Sequence, residues 1–156
     1  MVPPVRAVFY FKNFGNYSIF VPTYKDRIMA LAQETKIYKD MYALLNLILD
    51  VREHFPKAYK YSFGEKLMMT AIECCEFIKL ANSVKDEARL EYLHAFSKKF
   101  TSLGLLLEIC QDRHLVSKDE FCRILEFTGS IGAQARGWKD YTIARIEAGK
   151  LASSEQ

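Results

Sequence analysis

From Glu34 to Phe55 the apolar residues Ile37, Met41, Leu44, Ile48, Val51 and Phe55 follow one another at steps of 4, 3, 4, 3 and 4. That alternation stacks side chains on one face of a helix and is the seam of a bundle. Leu45 and Leu49 widen the stripe, as a helix facing a core requires. Pro56 ends it, because proline donates no amide hydrogen and crowds the preceding turn. Residues 56–61 then read as a loop.

Ser62-Phe63-Gly64-Glu65 has the form of a capping box, in which hydroxyl and carboxylate each satisfy an amide of the other residue. A second helix starts there, with a seam of Phe63, Leu67, Ala71, Cys74, Ile78 and Ala81 that lasts to about Asn82. Asn82-Ser83 suggests a cap and Lys85-Asp86-Glu87 a new acidic first turn. Leu93, Phe96, Phe100, Leu103, Leu107 and Cys110 carry a third helix to about Arg113, and His114-Leu115-Val116 is a connector. Ser117-Lys118-Asp119-Glu120 is a second capping box, followed by the inner face Phe121, Ile124, Thr128, Ile131, Ala135 and Trp138. Short connections make consecutive helices antiparallel neighbours. The predicted fold is therefore all-α, an antiparallel up-down-up-down four-helix bundle over residues 29–150 with a disordered tail at 151–156, and no strand pattern follows Met29.

Residues 1–28 differ: Phe9, Tyr10, Phe11, Phe14, Tyr17, Phe20 and Tyr24 sit among prolines and a glycine without helical period. This aromatic-rich leader reads as disordered, as a hairpin of Ala7 to Lys12 with Tyr17 to Val21 across Asn13-Phe14-Gly15-Asn16, or as a start assigned too early, with Met29 the true beginning. The last of these is the expectation.

At 156 residues, with 50% apolar and 26% charged residues, the chain suits one globular domain. No run of 18 apolar residues occurs, and Lys12 interrupts the stretch Ala7 to Phe11 before it can serve as a secretory core. The expectation is a cytoplasmic protein with no membrane partner. Cys74, Cys75, Cys110 and Cys122 lack Cys-x-x-Cys spacing and read as reduced core thiols. The net charge of +3 resides in the leader, where Arg6, Lys12, Lys25 and Arg27 face Asp26, so residues 29–156 are neutral. A basic field over the whole bundle is excluded; only a local patch can hold nucleic acid.

Glu91-Tyr92-Leu93-His94 has the Glu-x-x-His spacing of di-iron bundles. Such a site needs a second copy and two more inward carboxylates, and Glu73-Cys74-Cys75-Glu76 lacks the histidine, so no metal site is expected. His54, His94 and His114 fall near helix ends or on polar faces, and no nucleophile–base pairing is specified. Cys74 and Cys110 lie in seams and read as small core residues. No phosphate loop or dinucleotide fingerprint occurs, so neither a catalytic residue nor a cofactor is expected.

Gly129, Gly132 and Gly137 stand inside the fourth helix, each costing about 1 kcal/mol against alanine. Gly129, Ala133 and Gly137 recur every four residues as a smooth strip, which fits either tight packing inside the bundle or an oligomer or partner interface. Trp138 closes the strip as a core anchor whose indole N–H needs an acceptor. Basic residues gather at Lys57 and Lys60 in the first loop, at Lys98 and Lys99, and at Arg136, Lys139, Arg145 and Lys150. Lys98, Lys99, Arg136, Lys139 and Arg145 are the candidate nucleic-acid-binding set.

Phe55-Pro56-Lys57 closing the first helix, Tyr61-Ser62-Phe63-Gly64-Glu65-Lys66 opening the second, and Gly129 through Gly132 to Gly137-Trp138 in the fourth carry a family likeness. Over about residues 34–145 the chain resembles the accessory variability determinant proteins of diversity-generating retroelements, bacterial four-helix proteins related to those encoded in ribosomal-RNA intervening sequences. The resemblance implies a ring-like homopentamer that binds the retroelement's reverse transcriptase and its template RNA or copy DNA, contributing binding and no chemistry to mutagenic copy-DNA synthesis. The alternative it admits is a stand-alone oligomer of the intervening-sequence type with no reverse transcriptase partner. This chain departs from the pattern in a single Gly137-Trp138 where Gly-Gly-Trp is expected, and in the neutrality of residues 29–156.

Overall fold

The computed structural model describes residues 11–14, 17–20 and 35–154. Four long helices form an all-α bundle: α1 (Lys36–Glu53), α2 (Phe63–Ser83), α3 (Asp86–Asp112) and α4 (Lys118–Ser154). Ahead of them β1 (Phe11–Phe14) pairs antiparallel with β2 (Tyr17–Phe20), Phe11 opposite Phe20 and Phe14 opposite Tyr17. These pairs fall within the hairpin alternative for the leader, with Asn13 and Phe14, read there as part of the turn, paired to Ser18 and Tyr17. The rest of residues 1–28, and Met29 itself, lie outside the described residues.

The seams read from the sequence are the core. Met41, Leu44, Ile48, Leu67, Ala71, Cys74, Ile78, Leu103, Cys110 and Ile131 have no accessible surface, and each large aliphatic among them contributes about 1.5–3 kcal/mol by leaving water. Contacts between successive helices run in opposite senses. Arg52 meets Gly64 while Tyr38 meets Lys79; Ala81 meets Arg89 while Glu73 meets Lys99; Asp86 meets Arg145 while Phe100 meets Gly132. Asp40 ties α1 to α4: its Oδ2 accepts from Lys36 Nζ at 2.6 Å, Ser130 Oγ at 2.9 Å and Gln134 Nε2 at 2.6 Å. Partial burial opposes its charge, yet these three donors hold its carboxyl below the ordinary 3.8.

Helix ends explain where the expectations hold and where they fail. At Ser117 the capping box forms: the Ser117 amide donates to Glu120 Oε2 at 2.7 Å and the Glu120 amide to Ser117 Oγ at 3.3 Å. At Ser62 it does not. The expected loop contains one helical turn, Lys57–Lys60, nucleated on the Pro56 carbonyl, which accepts the Tyr59 and Lys60 amides at 2.8 and 3.0 Å. That turn leaves the Ala58 carbonyl unpaired one turn before Ser62, and the Ser62 hydroxyl donates to it at 3.2 Å instead of capping α2.

Neither Asn82 nor Ser83 caps α3, because the Ser83 hydroxyl turns back to the Leu80 carbonyl at 2.8 Å and the N-cap is Lys85. α3 ends in a Schellman motif: His114 adopts φ 53°, and the Leu115 and His114 amides return to the Cys110 and Gln111 carbonyls at 2.8 and 2.9 Å. The tail expected to be disordered from residue 151 is instead helical through Ser154, since nothing between Lys150 and Ser154 breaks a helix.

Candidate functional site

The small-residue strip faces outward. Gly129, Ala133 and Gly137 are exposed, and a Cβ on Gly129 or Gly137 would meet nothing within 4 Å. Gly132 lies closer to the core, where a Cβ would touch Phe100 Cε1 at 3.8 Å, an ordinary contact. Tight packing inside the bundle therefore does not offset the helix-weakening glycines. Leu125, at 53% exposure, and Tyr141, at 61%, stand four residues before and four residues after the strip, which turns about 40° around α4 at each step.

Trp138, which ends the seam, is half-buried against the core with the Arg89 guanidinium 5.6 Å from its ring centroid. Its indole N–H has no hydrogen-bond acceptor among the described residues, so its hold is apolar and cation–π.

The five basic candidates do not share one surface. Lys99 Nζ pairs with Glu73 of α2 at 2.7 Å, and Arg145 Nε with Asp86 of α3 at 3.2 Å. Lys98, Arg136 and Lys139 have no ion pair among the described residues. Arg136 and Arg145 are nine residues apart on α4, two and a half turns of a straight helix, and so point to opposite sides of it. In the first connector Lys60 is bound to Glu53 Oε2 at 2.7 Å, whereas exposed Lys57 has no ion pair among the described residues.

Glu91 and His94 are both exposed, and no group of three or more His, Cys, Asp or Glu residues converges among the described residues. Burial pushes the Cys74 and Cys110 thiols up to about 12 and that of Cys75 to about 11, which keeps them protonated near neutrality, whereas Cys122, expected in the core, is exposed because it lies off the α4 seam. His54, His94 and His114 are exposed. No described helix is long and apolar enough to cross a membrane.

Two features escaped sequence reasoning. The Asp40 hub joins residues 90 and more apart in sequence. The second is an open groove of about 500 Å³ between α1 and α2, lined by Tyr38, Lys39, Tyr42 and Lys79. Its signal was available: Tyr38 and Tyr42 stand four residues apart, the spacing of neighbours on a helix surface.

No family model and no curated protein matches the chain.

Proposed function

We propose that the chain is a non-catalytic assembly factor: a four-helix protomer that self-associates into a ring, a homopentamer by resemblance, and binds a retroelement reverse transcriptase with its template RNA to support mutagenic copy-DNA synthesis in the cytoplasm. The observation that carries the reading is the outward strip of Gly129, Ala133 and Gly137, whose helix-weakening cost has no return inside the protomer. Such a strip lets a second backbone approach closely. Lys98, Arg136 and Lys139, unpaired among the described residues, are the charges left for phosphate.

A second reading is a stand-alone oligomer of the ribosomal-RNA intervening-sequence type. The neutrality of residues 29–156 and the pairing of Lys99 and Arg145 with carboxylates favour it, because both weaken the attraction for RNA.

The deciding experiment measures copy-DNA synthesis by a purified retroelement reverse transcriptase on its template RNA, with and without the full chain, alongside size-exclusion analysis of the mixture. Stimulated synthesis and a joint complex support the first reading. An oligomer that neither joins the complex nor alters synthesis leaves the second.

A further inference from the structure

The groove between α1 and α2 has the make-up of a stacking platform. Tyr42 is 51% exposed and lies nearly parallel to Tyr38, with ring centroids 6.1 Å apart and planes 17° from parallel. Tyr38 is buried and holds the Lys79 ammonium 5.2 Å from its centroid. The inner ring is thereby fixed by packing and by a cation, and the outer ring is held against it with one face open.

Lys39, one turn before Tyr42, and Lys79, across the groove, have no ion pair among the described residues, so both charges remain available. The nearby acids do not close the site. Asp40 is turned to α4 by Ser130 and Gln134 and is also paired with Lys36 of its own helix, and Glu76, one turn before Lys79, lines no part of the groove.

An aromatic face flanked by cations is how single strands are held without regard to sequence, each base stacking on a ring while ammonium groups follow the phosphates. A base needs about 3.4 Å on each side of its plane, more than the tyrosine pair leaves between its rings. The base must therefore stack outside the pair.

We infer that this groove binds unpaired RNA: one base stacks on the open face of Tyr42, and Lys39 and Lys79 hold the flanking phosphates. The inference rests on the RNA-binding reading above only for the choice of nucleic acid; its residues are separate from the α3 and α4 candidates.

The test is fluorescence anisotropy of the full chain with labelled oligouridylate and with a duplex RNA of equal length, for the native protein, Tyr42→Ala, Tyr42→Phe and the Lys39→Gln/Lys79→Gln pair. Tyr42→Ala should weaken oligouridylate binding by about tenfold and leave duplex binding unchanged, while Tyr42→Phe, which keeps the ring, binds as the native chain does. The lysine pair should lower the log–log salt slope by about 0.7 for each phosphate that is no longer neutralised. Circular dichroism checks that all variants keep their helicity. Absence of oligouridylate binding by the native chain overturns the inference, as does equal loss in Tyr42→Ala and Tyr42→Phe, or a loss shared with the duplex. If the chain does not affect a reverse transcriptase while Tyr42→Ala still loses single-strand binding, the retroelement reading fails and this one stands.

Discussion

The side chain of Arg52 lies across Gly64, where α1 ends and α2 begins. A Cβ on Gly64 would sit 3.1 Å from Arg52 Cγ, 3.3 Å from Arg52 Nε and 3.3 Å from the Tyr59 carbonyl oxygen. The glycine in Tyr61-Ser62-Phe63-Gly64 is thus favoured by a crossing side chain and a backbone oxygen, and not by an unusual φ. The packing also buries Arg52 Nε without a hydrogen-bond partner among the described residues, which costs free energy that the close contact must offset.

Gly64→Ala should therefore lose about 1 kcal/mol in urea or thermal unfolding, the crowding of about 1–3 kcal/mol outweighing alanine's better helix propensity. Gly137→Ala, in open space, should gain up to about 1 kcal/mol in the same assay at concentrations where the chain is dissociated. If Gly64→Ala stabilises as much as Gly137→Ala, the close approach to Arg52 and Tyr59 has no energetic weight.

Acid should unfold the bundle partly through Asp40 and Glu120. Hydrogen bonds to Ser117 hold Glu120 below its ordinary 4.5, and the Lys36, Gln134 and Ser130 donors hold Asp40 below 3.8 against its partial burial. A depressed folded pKa gives stability that is fully present above the unfolded value and is lost as pH falls through the folded one. The contribution is complete above pH 4.5 and fades below it. Asp40→Asn should cost about 1 kcal/mol at neutral pH and flatten the decline in unfolding midpoint below that pH. An unchanged acid limb would mean that the Asp40 hub is dispensable.

How far the sequence speaks for this fold depends on whether a feature is periodic or relational. Seam residues such as Met41, Leu67, Leu103 and Ile131 were legible because burial repeats with the helix. The second capping box was legible because Ser117 and Glu120 are three residues apart and depend on nothing else. Ser62 was misleading because its hydroxyl answers to a carbonyl exposed by the unforeseen turn at Lys57–Lys60. Lys99 and Arg145 read as free charges because their partners, Glu73 and Asp86, are brought by neighbouring helices. Tyr42 is not legible as a site because a residue off the seam reads as surface unless its stacking partner is known.

On the proposal that the strip is an oligomer contact, Gly129→Leu should dissociate the assembly. The added side chain projects from an exposed position into the space a second backbone would occupy, while a Cβ there meets nothing in its own chain. Sedimentation velocity should move toward a single protomer with helical circular dichroism retained. Sedimentation unchanged in Gly129→Leu and in Gly137→Leu would sink the interface reading.

The charges allow a finer test than wholesale neutralisation, because the five candidates fall into two electrostatic classes. Lys98, Arg136 and Lys139 are unpaired among the described residues, whereas a phosphate that takes Lys99 or Arg145 must first displace Glu73 or Asp86. Counterion release counts phosphates actually neutralised, at roughly 0.7 to 0.9 for each in the log–log slope. On the proposal that the chain binds template RNA, changing Lys98, Arg136 and Lys139 to Gln should therefore flatten the salt dependence of that binding. Changing Lys99 and Arg145 to Gln should change it less, and stability by at most about 1 kcal/mol, as exposed pairs do. Lys57→Gln with Lys60→Gln is the control at the end of the bundle, where Lys60 is already held by Glu53. If the control loses affinity and slope while the three-site variant keeps both, RNA approaches along the end formed by Pro56 and the Lys57–Lys60 turn, and the assignment to α3 and α4 is wrong.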